Sequence, residues 1–103
     1  MDEIEEEIRA KALLRLAGIF HMPVAALSPE RRFDDLKASF VSDFRRNEFD
    51  QVSDDIHDVA DRVVAKELRS GALTINTVGD YCDHMVRCSR AKQKDVKRLL
   101  GIH

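Results

Sequence analysis

Apolar residues recur at three- and four-residue steps along most of the chain, a spacing that predicts α-helices rather than strands. The first predicted helix runs from about Asp2 to Ile19, with an apolar stripe that includes Ile4, Ile8 and Leu16. Acidic residues crowd its first turns, where the helix dipole favours negative charge. The chain therefore begins with an amphipathic helix whose apolar side needs a partner.

A long loop over residues 21–47 follows this helix, with a short helical turn expected near Pro29–Leu36. A second helix starts near Asn47. Its pattern leaves open whether it continues to Leu68 or breaks into a shorter third helix, so that residues 64–76 hold one helix or two. Ser70 and Gly71 then end the helical stretch.

The last part of the chain predicts two more helices. Thr77 is the expected N-cap of a helix whose apolar face includes Tyr81 and Met85. A short basic helix over residues 89–103 follows, with Val96 and Leu100 on its apolar side. The pattern as a whole predicts an all-α fold.

Composition limits the class of protein. The 103 residues suit one domain, and 44% hydrophobic residues supply one modest core. The net charge of −2 does not indicate general nucleic-acid binding, although residues 81–103 hold a basic excess and residues 1–80 an acidic one. No apolar run approaches the ~20 residues of a membrane span, and the acidic start is unlike a signal peptide. We therefore expect a cytoplasmic domain.

Three segments carry a resemblance to a known family. Residues 38–44 read Ala-Ser-Phe-Val-Ser-Asp-Phe, residues 45–52 read Arg-Arg-Asn-Glu-Phe-Asp-Gln-Val, and residues 77–81 read Thr-Val-Gly-Asp-Tyr. With the helical layout, they resemble the acyl carrier proteins over roughly residues 3–88. The resemblance implies a four-helix bundle over residues 1–88 with a long first loop, and an extra basic helical extension over residues 89–103.

The resemblance implies that Glu48 stands where the family has the serine that carries phosphopantetheine. Asn47, Asp50 and Val52 would match the family's Asp, Asp and Val, whereas Arg45 replaces its glycine. A carboxylate cannot form the stable phosphodiester, but it can interact with a helix N-terminus, at about 0.3–1 kcal/mol. We therefore expect no cofactor on this chain.

The leading hypothesis from sequence is a carrier-like bundle that does not carry and is not an enzyme. It would act as a protein-interaction module on a partner such as a fatty-acid, polyketide or related acyl-transfer enzyme, through complementary charge. The expected partner-binding residues are Arg45, Arg46, Glu48, Asp50, Asp54, Asp55 and Asp58.

Two alternatives stay open. A working carrier could be modified with phosphopantetheine on Ser39 or Ser42, since Phe33–Ser39 also resembles the family's motif. A nucleic-acid or membrane-surface protein could act through the basic tail, although the tail lacks interleaved aromatic residues and nucleic acid is the less favoured partner. The tail could also pair with the acidic second helix of its own chain.

Other candidate chemistry is expected to be structural. His84 and Cys88 share a helix face at a four-residue step, but no second pair at ligand spacing completes a metal site. Cys82 and Cys88 lie about 240° apart around a helix and should not bond to each other. We expect Cys82 in the core and Cys88 as a free thiol.

Overall fold

The computed structural model describes residues 3–33 and 46–102, without the side chains of residues 46–49. Within this part of the chain there are five α-helices, which confirms the all-α class. In chain order they are α1 (Glu3–Phe20), α2 (Arg46–Asp58), α3 (Arg62–Ser70), α4 (Val78–Ser89) and α5 (Gln93–Leu100), and a 3₁₀ turn at Val24–Ala26 follows α1. No described helix is both long enough and apolar enough to cross a membrane.

Helix α1 supplies one wall of the core. Its acidic first turn is favoured by the helix dipole, and Ile8, Ala12 and Leu16 follow at four-residue steps and are buried. This side packs chiefly against α4, and also against α2 and α5. The predicted stripe is confirmed at these positions, but it was wrong at Ile4, which is 46% exposed.

The chain breaks between α2 and α3, which answers the question that the sequence left open. The side chain of Asp61 accepts a hydrogen bond from the backbone N–H of Val64 at 2.9 Å and so caps a new helix. Helix α3 ends at Gly71, whose φ of 82° is left-handed and suits glycine. Residues 64–76 therefore hold one short helix followed by a connector.

Helix α4 begins where the sequence predicts. Thr77 accepts from the backbone N–H of Asp80 at 3.0 Å, and the Asp80 carboxylate accepts from the backbone N–H of Thr77 at 3.1 Å. This reciprocal pair is a capping box. Arg87 further along α4 donates to both carboxylate oxygens of Glu67, each at 2.8 Å, and so joins α4 to α3.

A segment of the first loop lies against the start of α4. Phe33 N–H donates to the carbonyl of Asn76, and the N–H groups of Val78 and Gly79 donate to carbonyls of Arg31 and Pro29, all at 2.9 Å. The predicted helical turn near Pro29–Leu36 was wrong over residues 29–32, where there is a turn and an isolated β-bridge instead, whereas Phe33 is helical. Residues 34–36 of that prediction lie outside the described residues.

Replacing Gly79 with valine should lower the free energy of unfolding by about 1–3 kcal/mol, as overpacking usually does. A Cβ at residue 79 would lie 3.0 Å from the Pro29 carbonyl oxygen, which is itself held by a hydrogen bond. Urea unfolding measures the change. Gly18→Ala is the matched control: a Cβ there meets nothing within 4 Å, so it should stabilise α1 by about 0.5–1 kcal/mol. Equal effects at both glycines would contradict this close approach.

Helix α5 shares the core of the other helices. Val96 is fully buried, and Leu100 and Ile102 are almost so. The helix packs against α4 and α1, and Gly101 with a φ of 72° ends it. Residues from 93 onward thus contribute core side chains alongside those of α1 and α4.

Candidate protein-docking surface

The outward side of α2 carries a row of carboxylates. Asp50, Asp54 and Asp58 follow at four-residue steps and all are exposed, and we call these three the acidic face. Val52 and Ile56 on the other side of the helix are buried. Asp54 and Asp58 make no ion pair with any other residue that the structure describes. Packing therefore leaves this side of α2 to solvent.

Asp55 does not belong to this surface, and the prediction that placed it there was wrong. Its exposure is 3%. Arg15 on α1 donates to both of its carboxylate oxygens at 2.9 and 3.0 Å, and the Tyr81 hydroxyl on α4 donates to one of them at 2.8 Å. Asp55 lies three residues after buried Val52, so the turn of the helix brings it back to the core side.

These contacts link three helices and shift the acid–base chemistry of the partners. The hydrogen bonds that Arg15 donates to Asp55, together with the charge of that carboxylate, raise the pKa of the Arg15 guanidinium. Burial, followed by the nearby Asp55 charge, raises the pKa of the Tyr81 hydroxyl. Tyr81 therefore stays protonated and donates its hydrogen bond throughout the neutral range, which suits a structural role.

The remaining predicted site residues are placed only in part. Arg46 and Glu48 lie in the first turn of α2 as the structure describes it, but their side chains are not described. Arg45, Ser39 and Ser42 lie outside the described residues. Position 48 therefore lies within α2, and its place at a helix N-terminus stays a prediction.

His84 and Cys88 form a buried contact inside the protein. The Nε2–H of His84 donates to the Ile56 carbonyl at 2.8 Å, since a carbonyl can only accept, and the Cys88 sulfur lies 3.6 Å from the same nitrogen. Burial lowers the pKa of His84 and raises the pKa of the Cys88 thiol to about 11. Cys88 is a free thiol, as predicted, but it is protonated and buried and is therefore a poor nucleophile.

Cys82 is also buried, which confirms its predicted place in the core. Burial raises the pKa of its thiol to about 11 as well. Over the described ranges, no group of three or more His, Cys, Asp or Glu side chains is arranged to hold a metal ion. The cysteines and His84 are part of the buried interior.

Burial of His84 makes stability depend on pH. Its pKa is lowered in the folded protein, so the unfolded chain takes up the proton first as pH falls. We expect the free energy of unfolding to be maintained above about pH 6.5, the unperturbed value, and to decrease below it. Urea unfolding between about pH 8 and pH 5 measures this slope.

His84→Gln keeps a side-chain N–H donor for Ile56 but does not titrate, so it should flatten the slope. His21→Gln is the control, because His21 is exposed and, unlike His57, does not contribute to the lowered pKa of His84. The lowered pKa of Glu67, caused mainly by its hydrogen bond with Arg87, acts in a separate and more acidic range, below about pH 4.5. An unchanged slope in His84→Gln would show that another group is responsible.

A second charged surface lies on α5. Lys94 and Arg98 are exposed, Lys97 is partly exposed, and we call these three the basic face. Arg98 contacts Asp95 at 3.6 Å, whereas Lys94 and Lys97 have no ion-pair partner among the described residues. A groove of about 330 Å³ lined by Asp58, Asp95, Arg98 and Leu99 lies where the two surfaces meet.

Comparisons of the chain with protein-family models, with curated proteins and with solved structures find no match. What can be said of function therefore comes from the chain's own residues. The structure brings three of the predicted site residues together as the acidic face, and removes Asp55 from it. The sequence does not identify Arg15 and Tyr81 as the partners of Asp55. The three-residue step from Val52 was a signal that Asp55 lies on the buried side of α2.

Proposed function

We propose that the protein is a non-catalytic interaction module that docks on a basic patch of a protein partner through the acidic face. The observation that carries this proposal is the row of exposed carboxylates on α2, set opposite the buried side chains of Val52 and Ile56. Charge complementarity of this kind sets partner choice and association rate more than affinity. Within the acidic face, we expect Asp54 and Asp58 to contribute most to partner binding, because neither has an ion-pair partner among the described residues.

The resemblance to acyl carrier proteins narrows the proposed partner to an enzyme of acyl transfer, of the fatty-acid or polyketide kind. Under this proposal the chain keeps a carrier's docking helix but carries no phosphopantetheine, because Glu48 offers no hydroxyl to esterify. Support comes from the helical class of the described residues and from the place of residue 48 within α2.

The test compares the proteins that purified variants retain from a cell extract at low salt, by quantitative mass spectrometry. Asp54→Lys with Asp58→Lys reverses the acidic face, and Glu6→Lys with Glu7→Lys makes the same change of charge on exposed positions of α1. We expect wild type and the α1 control to retain a partner that the α2 variant loses. Identical sets of proteins on all three would contradict the proposal.

The alternative through the basic tail has an observation in its favour, since the basic face of α5 is exposed to solvent. Lys94→Glu with Lys97→Glu separates the two functions. Under our proposal this variant still retains the partner. Loss of binding to duplex nucleic acid or to anionic vesicles, with the α2 variant unaffected, would favour the alternative instead.

A further inference from the structure

The acidic face and the basic face point away from the core on neighbouring helices. Successive residues of an α-helix are separated by about 100°. Asp54 and Asp58 therefore lie about 200–240° from buried Val52, and Lys94 and Lys97 lie about 100–160° from buried Val96. These four side chains therefore lie away from the buried side of their own helices.

The two faces adjoin at one groove. Asp58 at the end of the acidic face and Arg98 in the basic face line the same groove of about 330 Å³. The ion pairs found there join Asp95 to Lys92 at 3.5 Å and to Arg98 at 3.6 Å, all within the α5 region. The predicted pairing of the tail with Asp54 or Asp58 is therefore not found among the described residues, where these two carboxylates and the Lys94 and Lys97 ammonium groups have no ion-pair partner.

A surface with an acidic half beside a basic half is complementary to itself. In a two-fold dimer, a contact between residue i of one copy and residue j of the other is repeated with the two copies exchanged. Two adjoining patches of opposite charge therefore face each other in both directions when the axis passes between them. The groove lined by Asp58 and Arg98 lies between the two faces, where such an axis would pass.

We propose that this surface docks on a second copy of the chain, with the acidic face of each copy on the basic face of the other. This inference rests on the proposed function in treating the acidic face as a docking surface, and it names a second occupant for it. A contact made by exposed charges is weak and sensitive to salt. Because both would use the acidic face, self-association would compete with an enzyme partner for the same carboxylates.

Sedimentation velocity of the purified full chain tests the proposal over a range of concentrations. We expect a concentration-dependent shift toward dimer at low ionic strength that disappears in about 1 M salt, where the Debye length is about 3 Å. Two variants reverse one face each: Asp54→Lys with Asp58→Lys, and Lys94→Glu with Lys97→Glu. Each alone should associate at least about tenfold more weakly than wild type, because like charges then meet.

An equal mixture of the two variants is the decisive sample. One variant is basic on both faces and the other acidic on both, so the mixture should form a heterodimer although neither forms a homodimer. Glu6→Lys with Glu7→Lys controls for net charge and should behave as wild type. A monomer at every concentration in low salt, or a mixture that stays monomeric, would overturn the proposal.

The two proposals fail separately. If the chain is monomeric while wild type still retains a partner that the α2 variant loses, the acidic face docks only on other proteins. Species larger than a dimer that grow with concentration would also refute the two-fold arrangement, since they indicate head-to-tail contacts that do not close.

Discussion

Asp55→Ala should lower the free energy of unfolding by about 2–4 kcal/mol. The change leaves the buried hydroxyl of Tyr81 without its acceptor and removes both hydrogen bonds from Arg15. The range lies below that of a fully buried ion pair because the Arg15 side chain is 38% exposed and can turn to water. Urea or thermal unfolding measures the loss.

Asp54→Ala is the matched control, one residue away on the same helix but exposed. It should change stability by no more than about 0.5 kcal/mol, as surface substitutions usually do. The double variant Asp55→Ala with Tyr81→Phe should lose less free energy of unfolding than the sum of the losses in the two single variants, since both substitutions remove the same hydrogen bond. Equal stability of the Asp54 and Asp55 variants would show that the buried contacts contribute nothing.

Removal of residues 90–103 should unfold the protein. The deletion takes away Val96, Leu100 and Ile102, each of which is buried against the other helices. Burying one such side chain contributes about 1.5–3 kcal/mol, so three approach the whole stability of a typical domain, about 5–15 kcal/mol. Circular dichroism of the shortened chain would show the loss of helix.

Charge reversal of Lys94 and Lys97 is the control for this deletion, because it alters the outside of α5 and leaves its buried side intact. That variant should keep its helical signal and unfold cooperatively. A shortened chain that remained folded would show that residues 3–89 form an independent unit. The same reasoning makes charge reversal, and not truncation, the sound way to test binding by the tail.

The sequence predicts the helices well where local signals agree. The four-residue steps of Ile8, Ala12 and Leu16 mark the buried side of α1, and Thr77 with Asp80 forms the expected cap of α4. The break before α3 depended on Asp61 acting as a cap, and aspartates are too common along α2 for that one to stand out. Local pattern identifies elements, but it does not choose among equivalent polar residues.

The candidate site was predicted only in part, because local pattern also does not show which polar residues of a helix are buried. A polar residue on an amphipathic helix is expected to face water, and that expectation is right for Asp54 and Asp58 but wrong for Asp55. The exception depends on Arg15 and Tyr81, which lie 40 and 26 residues away in the chain and meet Asp55 only in the folded protein. The adjoining of Asp58 and Arg98 likewise follows from tertiary packing, which no local spacing reveals.

We propose that this chain docks on its partner without carrying a prosthetic group. Intact-mass spectrometry after incubation with coenzyme A and a phosphopantetheinyl transferase tests it most directly, beside an authentic carrier as positive control. We expect the wild-type mass to stay unchanged, and Glu48→Ser with Arg45→Gly to gain one phosphopantetheine. A phosphopantetheine adduct on the wild-type chain, whether on Ser39, Ser42 or any other hydroxyl, would contradict the account.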